Sequence, residues 1–264
     1  MQTLHQAVRD NFAEKAAYVA RVMPGMTVTD DESFVAVDCG LPSDTFNLVV
    51  ARHLSTPDHL LRAGVEPFMA KRFPVALWYW EDEADRQGMA ALAAYGLAHT
   101  ETHIAMYADI AQACVAAPVP ADLTISPAVQ PDHIRHYGSV IAALFGDSDE
   151  GRQVSAYHNL LSEYGMSHLP ALRYYIGAYH DRVVATGSLF VGSDTVGIYD
   201  IVTQAPYRQQ GIGSAMFAYL LNEARRFQHR HAILQASPDG IRIYEKAGFK
   251  AAGKVHTFEN RVLL

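Results

Sequence analysis

The sequence predicts a mixed α/β fold, an α+β arrangement built on a mixed sheet. In residues 122–264, two helical stretches precede three strand-like segments that are joined by tight turns, and helices and strands then follow up to the last residue. Of the 264 residues, 50% are hydrophobic and 19% are charged, which is the balance of a globular protein with a core and excludes general disorder.

The first part of the chain, residues 1–116, is predicted to begin with a helix over residues 5–22. Its apolar side chains recur mostly at spacings of three and four, and Pro24 and Gly25 end it. The elements that follow show strand-like apolar runs or helical periodicity. The predicted strands are residues 34–37, 46–50, 75–80 and 103–108, and the predicted helix is residues 81–95.

The second part comprises residues 122–264, and glycine, proline and short polar turns bound its elements. The predicted strands are residues 123–125, 172–179, 183–191, 196–203, 231–235, 250–256 and 258–264. The predicted helices are residues 132–145, 150–164, 213–228 and 241–247. Two helices, a three-stranded meander and a closing alternation of helices and strands therefore follow one another.

A change in charge separates the two parts. Pro118 and Pro120 favour extended backbone between them and block a helix. Residues 1–121 hold 8 Lys and Arg against 15 Asp and Glu, whereas residues 122–264 hold 13 of each, so the first part carries the whole net charge of −7. We therefore expect one domain over residues 1–116 and a second over residues 122–264; a loop within a single domain is the alternative.

Composition and spacing exclude several classes of function. Nucleic acid as the main partner would require a basic face, which a net charge of −7 does not favour. No apolar run of about 18 residues predicts a membrane span, and the first residues lack the pattern of a signal peptide. Cys39 and Cys114 are too few for a disulfide framework or a four-ligand zinc site, and the 13 histidines show no metal-ligand spacing. We expect a cytoplasmic protein with neither a metal nor a membrane partner.

Residues 202–215 carry the clearest chemical signal. They leave a predicted strand, turn through Gly211 and Gly213 and begin a helix, so backbone N–H groups become accessible at the positive end of a helix dipole. This combination suits a pyrophosphate. The alternative is a glycine-rich turn that binds nothing.

Three phosphate-binding patterns can be compared with this loop. A dinucleotide fingerprint would require glycine where Met216 stands, and a mononucleotide P-loop would require lysine where Ile212 stands. The run Arg-Gln-Gln-Gly-Ile-Gly over residues 208–213 fits the third pattern, Arg/Gln-x-x-Gly-x-Gly/Ala. Here the chain resembles the GNAT superfamily of acyl-CoA-dependent N-acetyltransferases.

A second motif lies over residues 237–249. It resembles the second GNAT signature, in which a helix carries a tyrosine and ends in Gly-Phe, and Tyr244, Gly248 and Phe249 match it. The family often has asparagine seven residues before the tyrosine, where this chain has Ser237. The Ser237 hydroxyl can still bond the pantetheine arm, or it can cap the following helix.

The resemblance extends over residues 123–264 and implies a GNAT-like acyl-CoA N-acyltransferase fold. The predicted order of elements in these residues is the order that this fold requires. In the first part, the strand over 75–80, the helix over 81–95 and the Gly96-Leu97 pair faintly repeat the pattern of strand, helix and Gly-Phe. This repetition implies a tandem arrangement with a degenerate, non-catalytic N-terminal half.

The resemblance also implies an acetyl-CoA site without a metal. Backbone N–H groups of the loop would hold the pyrophosphate, and those of the preceding strand would pair with the pantetheine amides and polarise the thioester carbonyl. The residues implied for binding are Ile201, Val202, Thr203, Arg208, Gln209, Gln210, Gly211, Ile212, Gly213, Ser214, Ser237, Gly240 and Tyr244.

Two side chains are predicted to move protons. Tyr244 can give its proton to a departing thiolate, since an ordinary tyrosine has a pKa of about 10; a tyrosine that only packs the core is the alternative. Asp200 lies just before the implied cofactor-binding strand residues, near where the family often has a carboxylate or its water relay. It is the first candidate for the base that deprotonates the amine, and a hydrogen bond to a loop is its alternative role. The further candidates for the base are Glu150, His168, His256 and Glu259.

The first part lacks an equivalent of the cofactor loop. The run Arg86-Gln87-Gly88 resembles part of the cofactor motif, but the motif requires Arg or Gln three residues before the glycine, where Asp85 stands. The carboxylates near this helix start would repel a pyrophosphate, and they are Glu81, Asp82, Glu83 and Asp85. We expect one acetyl-CoA per chain, and two by calorimetry would refute this.

An aromatic run precedes that helix start. On the predicted strand, Trp78 and Trp80 share one face and Tyr79 takes the other. We interpret these aromatic side chains as core, with the wall of a substrate pocket as the alternative.

These features predict an N-acetyltransferase that transfers the acetyl group of acetyl-CoA to a primary amine by direct attack in a ternary complex. The acceptor is a small molecule or a peptide, and the acidic first part would favour cationic amines through electrostatic steering. A monomer or a homodimer is expected. The alternatives are a catalytically silent acyl-CoA sensor and an enzyme that uses a longer acyl chain.

Overall fold

The computed structural model describes residues 3–82, 85–115, 117–238 and 240–264. Glu83, Ala116 and Asp239, which the sequence places at the acidic helix start, at the domain boundary and in the second motif, lie outside the described residues. The chain forms two compact units. The first is Met1–Ala105, Gln235–Pro238 and Ala251–Leu264, and the second is Met106–Leu234 and Asp239–Lys250.

The described residues form eight α-helices and eleven strands. The helices are α1 (Leu4–Ala20), α2 (Pro57–Leu60), α3 (Glu66–Lys71), α4 (Arg86–Tyr95), α5 (Pro131–Ala142), α6 (Asp149–Tyr164), α7 (Ile212–Ala224) and α8 (Ile241–Lys246). The strands are β1 (Thr27–Asp30), β2 (Phe34–Asp38), β3 (Leu48–Ala51), β4 (Ala76–Trp80), β5 (Ala98–Asp109), β6 (Leu123–Pro127), β7 (Leu172–Tyr179), β8 (Arg182–Val191), β9 (Thr195–Thr203), β10 (His231–Ala236) and β11 (Lys250–Glu259).

The first unit has a mixed sheet with the strand order β1-β2-β3-β4-β11-β5. The pairs β1–β2, β2–β3 and β4–β11 are antiparallel, whereas β3 and β4 run parallel. A parallel pair requires a crossover, and a helical segment of α2, a π-helical turn over Leu61–Val65 and α3 supplies it.

Aromatic side chains form the core of this unit. Phe12 of α1 packs on Trp78 and Trp80, with ring centroids 4.6 and 5.4 Å apart. Tyr79 is buried in a separate apolar cluster with Leu77 and side chains of the helical crossover. Tyr79 and Trp80 are buried, as their interpretation as core requires, whereas Trp78 is partly exposed.

The junction between β4 and α4 is closely packed. The Asp85 carboxylate accepts the N–H of Leu54 at 2.8 Å and the hydroxyl of Tyr79 at 3.2 Å. A Cβ added at Gly88 would lie 2.2 Å from the Cβ of Leu54. Glycine at position 88 is therefore required by packing.

The second unit has the strand order β5-β10-β9-β8-β7-β6, to which β5 contributes its last residues. The pairs from β6 to β9 are antiparallel, and β9 and β10 run parallel. Neighbouring residues of β8 face different helices, because side chains alternate along a strand. A Cβ at Gly187 would meet Leu220 of α7, whereas Ser188 points to the side on which Tyr137 of α5 lies.

Two of the predicted elements are wrong in their extent. The chain does not close with a strand over 258–264, because β11 ends at Glu259 and a 3₁₀ turn over Arg261–Leu263 follows. Asn260 enforces this end: its buried amide accepts the N–H of Val75 at 2.8 Å and donates to the carbonyl of Phe73 at 3.0 Å.

The helix predicted over 81–95 begins only at Arg86. The N–H of Glu81 bonds the carbonyl of Lys254 at 2.9 Å and so extends the strand pairing, and the N–H of Asp85 closes a turn on Asp82. The elements that were not predicted are β1, the helical crossover over residues 57–71 and the first half of β5.

The predicted boundary at residues 117–121 lies inside the second unit, and the proposed division into folding domains stays a prediction. No helix among the described residues has both the length and the apolar character that crossing a membrane requires.

Candidate active site

The loop between β9 and α7 has the backbone conformation of an anion site. After a 3₁₀ turn over Ala205–Tyr207, Gln209 and Gly211 adopt left-handed φ angles of 61° and 80°. Left-handed residues in a turn direct successive backbone N–H groups into a concave cradle, and the N-terminus of α7 adds its own unpaired N–H groups. Residues 208–211 are exposed, so a ligand can reach this cradle.

Side chains of the loop hold its own backbone. Arg208 Nε donates to the carbonyl of Thr203 at 3.0 Å, and Gln210 Nε2 donates to the carbonyl of Pro206 at 3.2 Å. Both contacts fix the turn between the end of β9 and the start of α7. The guanidinium of Arg208 thereby brings a positive charge to the loop.

Strand β9 extends beyond its parallel neighbour. Among the described residues, the ladder with β10 joins 195–197 to 231–233, while β9 continues beside β8 to Thr203. Ile201, Val202 and Thr203 are partly exposed and lie outside the parallel ladder. This edge suits the extended, amide-containing arm of a ligand, which can pair with it as a strand does.

Tyr244 lies on α8 and packs against the helix that follows the loop. Its ring meets that of Phe217 of α7 edge-on, with centroids 4.9 Å apart. The side chain is partly exposed, and burial raises the pKa of its hydroxyl above the ordinary value. Tyr244 therefore keeps its proton at neutral pH.

The helix α8 begins later than the interpretation of Ser237 as its N-cap requires. Gly240 occupies the N-cap position of α8, so the interpretation of Ser237 as the cap of this helix is wrong. Ser237 is exposed at the end of β10 and belongs to the first unit.

Asp200 stands at an irregularity of β9. The register between β8 and β9 shifts between Thr186 and Ser188, and Asp200 has a left-handed φ of 55° there. Its carboxylate Oδ2 accepts the hydroxyl of Ser188 at 2.7 Å and that of Tyr137 at 3.1 Å. Its carbonyl accepts the hydroxyl of Thr186 at 3.0 Å.

Aromatic residues that the sequence did not predict surround the hydrogen bond from Tyr137 to the Asp200 carboxylate. Tyr137 stacks on Tyr174 with ring centroids 4.0 Å apart and an interplanar angle of 6°. The ring centroid of His158 on α6 lies 5.5 Å from that of Tyr137, and Nδ1 of His158 is 2.9 Å from the carbonyl oxygen of Val154. These residues belong to no sequence motif, and the sequence signal that could have indicated them is a polar group at a buried position of α5, α6 or β7.

The other candidate bases lie in different surroundings. Glu150 is buried in the first turn of α6, and His168 is exposed beyond its end. His256 and Glu259 belong to the first unit; burial lowers the pKa of His256 and raises that of Glu259. Asp200 is the candidate that lies on the same strand as the partly exposed residues 201–203.

The residues present fit an anionic ligand with an amide-containing arm. The loop over 208–214 offers N–H donors and one guanidinium, and the adjoining strand offers a backbone edge. The same strand carries the Asp200 carboxylate, which can take a proton, and Tyr244 on α8 carries a hydroxyl that can give one. No group of His, Cys, Asp and Glu among the described residues could hold a metal ion.

Known proteins show a consistent likeness. Residues 140–249 match the model of the Acetyltransferase (GNAT) family. The sequence matches no curated protein. A GCN5-related N-acetyltransferase from Kribbella flavida is similar in structure, with a TM-score of 0.66 and 16% identity over 96% of this chain and 95% of that chain.

Two further solved structures extend this likeness. A GCN5-related N-acetyltransferase from Sphaerobacter thermophilus has a TM-score of 0.58 and 15% identity over 89% of this chain and 75% of that chain. A tandem GNAT protein from the clavulanic acid biosynthesis pathway has a TM-score of 0.55 and 14% identity over 96% of this chain and 94% of that chain. Residues 140–249 therefore match the acetyltransferase (GNAT) family, and the fold of the chain is the mixed α/β fold of GNAT proteins, tandem ones included.

Proposed function

We propose that this protein is an N-acetyltransferase that transfers an acetyl group from acetyl-CoA to a primary amine. The observation that carries the proposal is the loop of residues 208–213, whose residues 208–211 are exposed and whose Gln209 and Gly211 are left-handed at the N-terminus of α7. The family match over residues 140–249 supports acyl transfer, since members of this family use acetyl-CoA.

Binding is assigned to the loop and to the strand before it. Backbone N–H groups of residues 208–214 would hold the pyrophosphate, with the charge of Arg208 beside them. The edge of Ile201, Val202 and Thr203 would pair with the pantetheine arm, and one of its N–H groups would face the acyl carbonyl. Ser237 and Gly240 are the remaining proposed contacts. One such site per chain is proposed.

Two side chains are proposed to move protons during a direct attack in a ternary complex. Bound acetyl-CoA supplies an acetyl group activated as a thioester. The Asp200 carboxylate takes a proton from the nitrogen of the acceptor amine, so that its lone pair becomes available. The nitrogen bonds the acetyl carbon as the C–S bond breaks, and the Tyr244 hydroxyl, which its raised pKa keeps protonated at neutral pH, gives a proton to the sulfur. The excess proton on the new amide nitrogen passes to solvent, from which Tyr244 regains its own.

The acceptor is proposed to be a small-molecule or peptide amine, as for GNAT enzymes in general. A cationic amine is favoured because the acidic side chains outnumber the basic ones. A monomer or homodimer in the cytoplasm remains the expectation from sequence.

A catalytically silent acyl-CoA sensor is the second candidate function. The hydrogen bonds of the Asp200 carboxylate to Ser188 and Tyr137 favour it, because a purely structural carboxylate is also held in this way. A sensor would bind acetyl-CoA without consuming it.

Release of the CoA thiol separates the two functions. The protein is incubated with acetyl-CoA and a panel of small amines and basic peptides, and free thiol is measured over time. An enzyme releases thiol only when an acceptor amine is present. Binding of acetyl-CoA by calorimetry without amine-dependent thiol release would leave the sensor and reject the enzyme.

A further inference from the structure

Three buried hydroxyl groups donate hydrogen bonds to Asp200 from the interior of the protein. Thr186 and Ser188 are 0% exposed and Tyr137 is 1% exposed, whereas Asp200 itself is partly exposed. The donors to its carboxylate and carbonyl therefore lie on the protein side of the residue. A substrate can approach Asp200 but cannot touch Tyr137.

The backbone of Asp200 requires support of this kind. Its φ of 55° is left-handed, which a residue with a Cβ adopts at a cost in conformational energy. Such a conformation persists where the surroundings determine it. The hydroxyl of Thr186 on the carbonyl, and those of Ser188 and Tyr137 on the carboxylate, are contacts that fix it.

Tyr137 is itself fixed in place. Its ring lies flat on Tyr174 and beside His158, so its hydroxyl has little freedom to move. Gly138 permits this packing, because a Cβ there would lie 2.4 Å from the Cβ of His158. Burial, followed by the nearby Asp200, raises the pKa of Tyr137 well above its ordinary range, so the hydroxyl remains a donor at neutral pH.

We propose that Tyr137 is a positioning residue for Asp200. Its hydroxyl donates to Oδ2 together with Ser188, and two donors on one oxygen restrict rotation of the carboxylate. The role rests on the proposed function, in which Asp200 accepts the proton of the amine. Because Tyr137 reaches neither substrate nor cofactor, its loss acts on the rate of the reaction and not on the binding of acetyl-CoA.

A double-mutant cycle of Tyr137→Phe and Asp200→Asn tests this role in the full-length protein. Tyr137→Phe is expected to lower kcat about tenfold, as the loss of one hydrogen bond to a charged group does, with the KM for acetyl-CoA unchanged. In the Asp200→Asn background, the residual kcat should change less than about twofold on adding Tyr137→Phe.

Tyr175→Phe is the matched control. Tyr175 is the neighbour of the stacked Tyr174, is equally buried and donates its hydroxyl to the carboxylate of Glu223 at 3.5 Å, but from the face of β7 that packs on α7. Its variant should keep the kcat of the wild type. If Tyr137→Phe folds poorly, Ser188→Ala removes the second donor to the same Oδ2 and should show the same dependence on Asp200.

The possible failures can be told apart. Unchanged kcat in a folded Tyr137→Phe protein would overturn the positioning role, and so would an equal loss in the Asp200→Asn background. If Tyr137→Phe does not fold, unchanged kcat in Ser188→Ala would overturn it. An equal loss in Tyr175→Phe would also overturn it, because any buried tyrosine would then have the same effect. A wild-type protein that acetylates no amine overturns the proposed function itself.

Discussion

Among single residues, Tyr244 gives the most direct test of proton supply to the leaving sulfur. Tyr244→Phe keeps the ring contact with Phe217 and removes only the hydroxyl. We expect kcat to fall about tenfold or more, because general-acid assistance is lost, while the Kd for acetyl-CoA stays unchanged. Steady-state kinetics and calorimetry measure the two quantities. Because burial raises the pKa of Tyr244, this proton should stay in place at neutral pH and be lost only above the ordinary range of tyrosine.

Tyr219→Phe is the control for that variant. Tyr219 is partly exposed on α7, and burial raises its pKa as it does for Tyr244. Its variant should match the wild type in kcat. A Tyr244→Phe protein with undiminished kcat would reject the acid role and favour a tyrosine that only packs the helix.

Single residues also show how far the sequence could predict the site. Tyr244, Gly211 and Arg208 belong to motifs with fixed spacing, and such spacing is visible in the chain itself. Tyr137 and Ser188 are brought to Asp200 from α5 and β8 by tertiary packing, far from it in sequence. No local pattern encodes that meeting, so these partners became visible only in the fold.

At the scale of elements, the turn into α7 depends on the left-handed conformation of Gly211. Alanine at a φ of 80° is strained, so the loop would relax and its N–H groups would turn away from the cradle. Gly211→Ala is expected to weaken acetyl-CoA binding about tenfold or more in calorimetry. Its stability should fall by only about 1 kcal/mol.

Gly25→Ala separates loss of ligand binding from strain alone. Gly25 has a φ of 82° and open space around it, so alanine meets the same strain in a turn of the first unit. We expect the same small loss of stability and an unchanged Kd. Equal Kd values for Gly211→Ala and the wild type would remove the loop from the proposed site.

The packing of α5 on α6 supplies a second test at this scale. Gly138→Ala would place a methyl group 2.4 Å from the Cβ of His158, which the helices can accommodate only by moving apart. We expect a loss of about 1–3 kcal/mol in the free energy of unfolding, measured in denaturant. A lower kcat should accompany it, since Tyr137 is the neighbouring residue.

Ser139→Ala changes the next residue without this collision. Ser139 is exposed and its hydroxyl bonds the carbonyl of Arg135, so its replacement should alter stability by less than about 0.5 kcal/mol. A Gly138→Ala protein as stable as Ser139→Ala would show that the close approach of α5 and α6 is not required.

Elements were predictable where one periodicity dominates. The meander of β7, β8 and β9 and the helices α5, α6 and α7 follow from apolar spacing between clear turns. The end of β11 and the start of α4 were not predictable, because Asn260 and the pairing of Glu81 with Lys254 set them through residues far away in the chain. Tertiary contacts override local propensity at such boundaries.

For the whole molecule, the mixed α/β fold was correctly predicted, and the likeness to tandem GNAT proteins extends over nearly the full chain. The return of residues 251–264 to the first unit was not visible in the sequence. The net charge changes from −7 over residues 1–121 to 0 over residues 122–264, whereas the first break between the compact units falls between residues 105 and 106. The two boundaries differ because charged side chains mark the solvent-exposed surface, whereas the compact units are defined by contacts between residues. Fold was therefore predictable from the order of elements, and the path of the last strand was not.

The measurement that tests the central claim most directly is a single turnover with acetyl-CoA labelled with ¹³C in its acetyl group. The protein is mixed with the labelled compound and an amine from the panel that released thiol, and amine, CoA and protein are analysed by mass spectrometry. Direct attack predicts labelled acetyl on the amine, an equal amount of free CoA, and no label on the protein. Label that accumulates on the protein, or labelled acetyl-CoA that binds and is recovered intact in the presence of every amine, would contradict the account.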